Sequence, residues 1–221
     1  MIYFSKEYLD FFKKLAANNN KDWFDANRGK YEEFVKIPFE RFIGDLIKAI
    51  GKIDKNVKIA PKDAIFRINR DVRFGADKSP YKTTRSAVIS RFGKKDISYP
   101  GIYLEAGPEH YRVYGGCHQP EKDQLANIRS AIAANPGKLD KLLVAPDFKK
   151  VFGKILGEKN KIIPKELKEA ADKSPLIYNK NFYWYCELPA DAILKKDILE
   201  KSVTAYKVGK PLQDYFSASL K

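Results

Sequence analysis

The stretch AIFRINRDVRF, residues 64–74, marks the point at which the chain changes from one kind of regular structure to another. Upstream of it, apolar residues recur at helical spacing, whereas within it apolar and polar residues alternate. The apolar members are Phe66, Ile68, Val72 and Phe74, and the polar members between them are Arg67, Asn69, Asp71 and Arg73. A period of two is typical of a β-strand with one buried face. The stretch therefore predicts the first strand of a sheet, over about residues 65–73.

Four further strands are predicted downstream. They are expected at about 86–91, 99–106, 110–116 and 181–188. The connections Gly93-Lys94-Lys95-Asp96 and Gly107-Pro108-Glu109 are short and rich in turn formers, which favours antiparallel neighbours. The sequence thus predicts an antiparallel sheet of about five strands.

Helical patterns lie on both sides of these strands. Ser5 precedes an amphipathic segment that ends at the run Asn18-Asn19-Asn20, and Asn20 is a suitable N-cap for a second helix, which Pro38 is expected to kink or split. Later helices are predicted from Pro120 to Asn135, over about 138–145, 147–156 and 165–171, and from about 191 onward. Helices grouped before and after a run of strands are typical of the α+β class, with the sheet covered by N- and C-terminal helices. No linker-like segment interrupts the chain, so residues 1–221 are expected to form a single α+β domain.

The charge balance points to anionic partners. The chain has 42 Lys and Arg against 28 Asp and Glu, a net charge of +14, and an isoelectric point near 9.5. Such a charge attracts nucleic acid, nucleotides or other polyanions. Much of the excess is lysine scattered along helical segments, which also fits a solubilising surface.

Composition also predicts where the protein works. A charged fraction of 32% and a mean hydropathy of −0.48, without a long apolar run, predict a soluble protein that does not enter a membrane. Lys6 and Glu7 come before any extended apolar segment, so no signal peptide is expected. Cys117 and Cys186 form no disulfide framework and are expected to be free thiols in the cytoplasm.

The most specific signal is a basic strand and loop, which carries six Arg or Lys among the nineteen residues 67–85. In an extended strand the polar residues at 67, 69, 71 and 73 project to one side, about 6.6–7 Å apart in successive pairs. Guanidinium groups at that spacing suit phosphate or carboxylate, which they bind bidentately. The loop that follows is expected to fold back and complete the site, with Tyr81 stacking on a base or sugar. The predicted anion site consists of Arg67, Asn69, Arg70, Asp71, Arg73, Lys78, Tyr81, Lys82 and Thr83.

The alternative to an anion site is a network of structural ion pairs among Arg67, Arg70, Arg73, Asp71 and Asp77. Exposed ion pairs add little stability. Stability is therefore a weak explanation for so many cations beside two acids.

The same stretch carries a resemblance to a known family. FRINRDVRFGADKSPYKT resembles the signature of a bacterial and fungal family catalogued as domain of unknown function 2461. The run Asn18-Asn19-Asn20 followed by Trp23-Phe24 resembles the start of that family, and a central pattern agrees at Gly115, Gly116, Pro120, Leu125, Ile128 and Arg129. The resemblance covers residues 4–135 well and loosens beyond them, and Cys117 stands where the family has a third glycine. It implies an α+β domain and supplies no activity, cofactor or catalytic residue.

Three other patterns give weaker indications of a functional site. Zinc would require Cys117, His118, His110 and Cys186 together, at unusual spacing, so no metal site and no cofactor are assigned. Gly115-Gly116 is interpreted as a tight turn rather than a phosphate-binding loop. NFYWYCEL, residues 181–188, is interpreted as a sheet strand rather than a base-stacking surface, because it lacks interleaved cations.

The sequence therefore predicts a protein that binds a phosphate-bearing ligand, a nucleotide or nucleic acid, through its basic strand and loop. One alternative is a metal-assisted phosphoester hydrolase that would use Asp71, Asp77 or Glu105 at the same site. Another is a structural or protein-interaction domain whose arginines bind its own carboxylates. Whether a reaction is catalysed, and the oligomeric state, are left open.

Overall fold

A computed structural model describes residues 1–73 and 75–220 and contains one four-stranded antiparallel sheet within them. The strands follow one another in space as in sequence, in the order β1-β2-β3-β4. They are β1 Arg85–Ile89, β2 Gly101–Ala106, β3 His110–Cys117 and β4 Phe182–Pro189. The α+β class and the antiparallel arrangement are confirmed, and the predicted strand count is too high by one.

The missing strand is the first one predicted, at 65–73. The segment bends at Ile68 and makes isolated bridges, Ile65 to Ala87 and Asn69 to Tyr81, instead of a continuous ladder. The side chain of Asp71 accepts a hydrogen bond from the backbone N–H of Arg73 at 3.3 Å. A local hydrogen bond of this kind competes with strand pairing at the end of the segment. Phe74, assigned above to the apolar face, lies outside the described residues.

The N-terminal helices are α1 Lys6–Ala17, α2 Lys21–Ala26, α3 Arg28–Tyr31, a π-helical turn Glu32–Lys36, α4 Ile37–Ile53 and the short α5 Pro61–Ala64. Asn20 caps α2 as predicted, because its Oδ1 accepts a hydrogen bond from the N–H of Trp23 at 2.9 Å. The second predicted helix is divided at Asn27, and the run that follows changes from π to α geometry directly before Pro38. Pro38 is the second residue of α4 and directly follows the π-helical turn, where the N–H of Ile37 donates to the carbonyl of Glu32. Because proline has no N–H, the preceding turn loses one helical hydrogen bond at this position.

The later helices are α6 Lys122–Ala134, α7 Pro136–Leu143, α8 Pro146–Val151, α9 Lys168–Lys173 and α10 Ile198–Ser219. Short 3-10 turns lie at Gly93–Lys95, Lys165–Leu167, Pro175–Tyr178 and Ala190–Leu194. Asn135 ends α6 and caps α7 through a hydrogen bond from the N–H of Lys138. None of the described helices combines the length and apolar character needed to cross a bilayer.

Two clusters of buried side chains hold these elements together. The larger joins α1 and α4 to the inner face of the sheet, where Ile102, Leu104 and Val113 point inward. The smaller surrounds Trp184 of β4 and includes side chains from α6, α7 and α10. Both clusters lie on the inner face, so the alternate residues of β2 and β3 are directed outward.

Gly115 and Gly116 lie inside β3, so the tight turn expected there is wrong. A side chain at Gly115 would overlap the indole of Trp184, whose Nε1 lies 2.4 Å from the position of an added Cβ. Gly116 has a φ of 134°, which L side chains rarely adopt, and it lies against the backbone of β4. The two glycines therefore allow β4 to pack closely.

Candidate anion-binding site

The arginines of the loop are paired with the protein's own carboxylates. Arg73 donates to Asp71 through Nε at 2.9 Å and Nη2 at 2.7 Å. Arg70 forms an ion pair with Asp77 and also donates to the carbonyl of Ser79 at 3.3 Å. Hydrogen bonds from Arg73 lower the pKa of Asp71, and those from Ser79 and Arg70 lower the pKa of Asp77. For Arg70 and Arg73, the alternative of ion pairs within the protein therefore holds.

Tyr81 faces the interior. Its ring stacks on that of Phe24, with the centroids 4.0 Å apart and the planes 14° apart, and only 6% of the residue is exposed. The side chain of Asn19 holds the Tyr81 backbone on both sides, accepting from its N–H at 3.1 Å and donating to its carbonyl at 2.9 Å. This clamp fixes the loop against α1 and α2, and it removes Tyr81 from any stacking role.

The remaining predicted loop residues are dispersed. Lys78 donates to the carbonyl of Val72 at 2.9 Å, Asn69 is exposed and Thr83 is half-buried. The structure therefore does not bring the nine predicted residues together around one cleft. Three of the predicted cations, Arg67, Lys78 and Lys82, form no ion pair within residues 1–73 and 75–220, and Lys78 is bound to a backbone carbonyl.

Arg67 instead lines a pocket of about 530 Å³ at the β1 edge of the sheet. We call it the basic pocket, and its lining consists of Glu40, Ala60, Pro61, Lys62, Ile65, Phe66, Arg67, Arg85 and Lys94. Four of these side chains are cationic, and Glu40 is the only acid among the described residues that line it. Lys94 is held in place by a hydrogen bond of 3.0 Å to the carbonyl of Ile65.

Arg85 is the least ordinary member of the pocket. It is the first residue of β1, and only 5% of it is exposed. Its Nη1 donates to the carbonyl of Phe66 at 2.8 Å, and its guanidinium carbon lies 5.5 Å from the centroid of the Phe39 ring. Its Nε has no hydrogen-bond partner and no carboxylate lies within 4 Å, as far as the described residues extend. A buried charge without a counter-charge is costly to maintain.

The positive charges of Arg85 and Arg67 also affect the nearby Lys82. Burial, followed by the positive charges of Arg85 and Arg67, lowers the pKa of Lys82, while Glu105 opposes this shift. Its Nζ lies 5.4 Å from the centroid of the Phe66 ring, on the border of the basic pocket. Three cations from β1 and the segments before it are thus close enough to repel one another.

Sequence reasoning missed Arg85, Lys62 and Lys94. Arg85 closes the basic stretch, but it also begins a strand of otherwise apolar and small residues, where an inward side chain is expected to be part of the core. Lys62 and Lys94 are separated in sequence from the stretch and reach the pocket only through the packing of α5 and the 3-10 turn at Gly93–Lys95. No local pattern identifies them.

The carboxylates and thiols considered from the sequence do not converge. Glu105 lies 2.8 Å from Nε2 of His110, on the outer face of the sheet, while Asp71 and Asp77 are paired in the loop. Within residues 1–73 and 75–220 there is no group of three or more side chains able to hold a metal ion. Cys117 and Cys186 are free thiols, as expected, and burial raises the pKa of Cys117 to about 12, so that it is protonated at neutral pH.

Comparison with known proteins places this arrangement in a family. The family model described as conserved hypothetical protein, DUF2461, matches residues 7–215. This confirms the resemblance identified from the sequence and extends it through the C-terminal third, where the motifs loosen. No curated protein and no solved structure gives a significant match.

Proposed function

The chain belongs to the conserved hypothetical protein family DUF2461, and we propose that it binds a phosphate-bearing ligand in the basic pocket. The ligand class is the one predicted from the sequence, but the site is the basic pocket instead of the basic strand and loop. Its donors are Arg67 and Arg85, with Lys62, Lys82 and Lys94 around them.

The observation that carries this proposal is Arg85. An arginine that is 5% exposed and has no acid within 4 Å among the described residues lines the basic pocket. Arginine remains protonated at all ordinary pH values, so it cannot relieve the cost by losing a proton. An external anion would supply the missing counter-charge.

Phosphate suits this pocket better than a smaller anion. The volume of about 530 Å³ lies in the range of small-molecule sites. The planar fork of Arg67 matches two phosphate oxygens, Arg85 adds a positive charge although its Nη1 is held by the carbonyl of Phe66, and the lysines add point charges. Charge-assisted hydrogen bonds of this kind contribute about 1.5–3 kcal/mol each where they are shielded from water.

The alternatives receive less support. A purely structural role explains Arg70 and Arg73, which bind the protein's own carboxylates. For Arg85 the described residues supply a carbonyl and an aromatic ring but no carboxylate within 4 Å. A metal-assisted hydrolase needs converging acidic ligands, and the described residues contain no such group.

Thermal unfolding in the presence of anions tests the proposal. Inorganic phosphate or pyrophosphate at 100 times its dissociation constant is expected to stabilise the folded protein by about 2.7 kcal/mol. For a chain of this size that free energy corresponds to a rise in melting temperature of roughly 5–11 °C. Sodium chloride at matched ionic strength is the control, and an equal rise with chloride would contradict a phosphate site.

A further inference from the structure

A second depression lies on the outer face of the sheet. Gly101 of β2 is paired with Gly116 of β3, and the next outward pair along these strands is Tyr103 with Tyr114. Opposite residues of an antiparallel pair share a face, so two positions without side chains border two aromatic rings. The result is a groove of about 510 Å³, which we call the aromatic groove.

The walls of the aromatic groove are flat rings. The centroids of Tyr103 and Tyr114 are 5.7 Å apart, and that of Phe66 lies 6.0 Å from Tyr103. Tyr183 and His118 form another wall, with their rings 6.2 Å apart. All five rings line the groove, and partly exposed aromatic faces of this kind bind other flat rings by stacking.

Phe66 connects the aromatic groove with the basic pocket, since its side chain lines both. Lys82 lies on the same ring, 5.4 Å from its centroid. A ligand that crosses Phe66 can therefore place a charged group among the cations and an uncharged ring among the tyrosines.

The distribution of charge decides the kind of ligand. The described lining of the groove contains no Lys or Arg and a single carboxylate, Glu158, whereas the adjoining pocket contains four cations. Farther along the outer face, Glu105 and Glu187 flank Arg112 on the neighbouring strands. A nucleic-acid strand needs cations along its length. Charge at one end and an uncharged aromatic surface at the other match a single nucleotide.

We propose that the aromatic groove receives the base of a nucleoside phosphate whose phosphate lies in the basic pocket. This inference rests on the proposed function, because the pocket supplies the phosphate end of the ligand. It adds the ligand class and a base site built from Phe66, Tyr103, Tyr114 and Tyr183.

A series of ligands that share a phosphate tests the two sites separately. Inorganic phosphate, ribose 5-phosphate, the four nucleoside 5′-monophosphates, adenosine and single-stranded oligonucleotides of increasing length are titrated by calorimetry against the full chain. Stacking of a base on aromatic side chains is expected to make at least one nucleotide bind roughly 5- to 100-fold more tightly than ribose 5-phosphate. Adenosine, which lacks the phosphate, is expected to bind more weakly than its monophosphate.

The outcomes of this series are distinguishable. If ribose 5-phosphate binds as tightly as every nucleotide, the base site is wrong and the phosphate site stands. If no phosphate compound binds, the proposed function fails and this inference fails with it. If a single-stranded oligonucleotide binds with a salt dependence that steepens with its length, the site serves nucleic acid and the proposal of a single nucleotide is overturned.

A pair of tyrosine variants locates the base. Tyr114→Leu removes a ring of the groove, whereas Tyr185→Leu removes the neighbouring ring on β4, which does not line the groove. Tyr114→Leu is expected to lower nucleotide affinity at least fivefold and leave ribose 5-phosphate affinity unchanged, a split that a folding defect does not produce. Tyr185→Leu is expected to change neither. Equal effects of the two variants on nucleotide affinity would contradict the assignment of the groove.

Discussion

Two pairs of arginines come from the same basic stretch and have opposite surroundings. Arg70 and Arg73 lie in the loop, where Asp77 and Asp71 neutralise them. Arg67 and Arg85 lie at the pocket, without a carboxylate within 4 Å in the described part of the chain. The comparison teaches that the number of arginines in a segment does not locate an anion site. The anion site is located by the positions of the acidic side chains, because only an arginine that no carboxylate neutralises can bind an external anion.

The sharpest test of this difference is Arg85→Met. A methionine keeps much of the length and apolar character of the stem against Phe39 and removes the buried charge. Loss of one shielded charge-assisted hydrogen bond, about 1.5–3 kcal/mol, corresponds to a loss of phosphate affinity of roughly 10- to 100-fold. Replacing a buried charge by an apolar side chain of similar size is often neutral or stabilising, so the melting temperature without ligand is expected to hold or rise.

Phosphate titration and thermal melts measure these two quantities on the same sample. Arg73→Met is the matched control, because the Arg73 side chain is 75% exposed and its guanidinium is bound to Asp71. It is expected to retain wild-type phosphate affinity. If Arg85→Met lowers stability and leaves phosphate affinity intact, the buried guanidinium is a structural group and the comparison fails.

Arg67→Ala, compared with Arg73→Ala, is expected to have the next largest effect. Arg67 is exposed, so solvent screens its charge and its contribution is smaller than that of Arg85. An interaction of about 1 kcal/mol corresponds to a loss of phosphate affinity of roughly fivefold. Affinities measured at two salt concentrations check the cause, because the difference from wild type is expected to shrink as salt rises. No difference between the two alanine variants would show that pairing does not distinguish the two arginines.

Lys82 adds a test that depends on pH. Burial and the charges of Arg85 and Arg67 lower its pKa, so the folded state releases the proton before the unfolded state does as pH rises. The free energy of unfolding is therefore expected to gain a contribution between the lowered pKa and the ordinary lysine value. Thermal melts over the alkaline range check this sign, and the rising contribution is expected to be absent from Lys82→Met.

Phosphate is expected to reverse the sign of that dependence, because a bound anion favours the protonated lysine. Affinity for phosphate then falls as Lys82 loses its proton, and Lys82→Met binds severalfold more weakly at neutral pH without losing stability. A variant that is both less stable and unchanged in affinity would place Lys82 with the structural cations of the loop.

Most of the fold could be predicted from the alternation of apolar and polar residues, from turn-forming residues and from helix-capping residues. Tyr103 and Tyr114 alternate with inward Ile102 and Val113, so β2 and β3 could be identified from their own sequences. The segment 65–73 shows the same alternation and forms no ladder. The segment bends at Ile68, between its two bridges, and beyond them Asp71 accepts a hydrogen bond from the backbone of Arg73, which competes with strand pairing.

The site could be predicted only in part. The predicted site included one cation that lines the basic pocket, Arg67, and the nearby Lys82. The pairing of Arg70 and Arg73 with carboxylates depends on how the loop folds. Arg85 is recognisable only when its burial is known. The aromatic groove is equally hidden, because it arises from strand register, which pairs Gly101 with Gly116.

The smallest expected effect comes from removing a counter-charge in the loop. Asp77→Asn takes the acid from Arg70 and leaves that cation without its partner, while Asp123→Asn, in the first turn of α6, is a control of equal charge. Since the loop is exposed, the gain in phosphate affinity over the control is expected to be less than about twofold and to vanish in high salt. The hydrogen bonds that lower the pKa of Asp77 stabilise the fold above the ordinary carboxylate pKa and are lost as pH falls below it. Thermal melts in acid are therefore expected to show a smaller pH dependence for Asp77→Asn than for wild type. A gain in affinity as large as the loss in Arg85→Met would mean that the loop, and not the pocket, is the stronger anion site once its acids are removed.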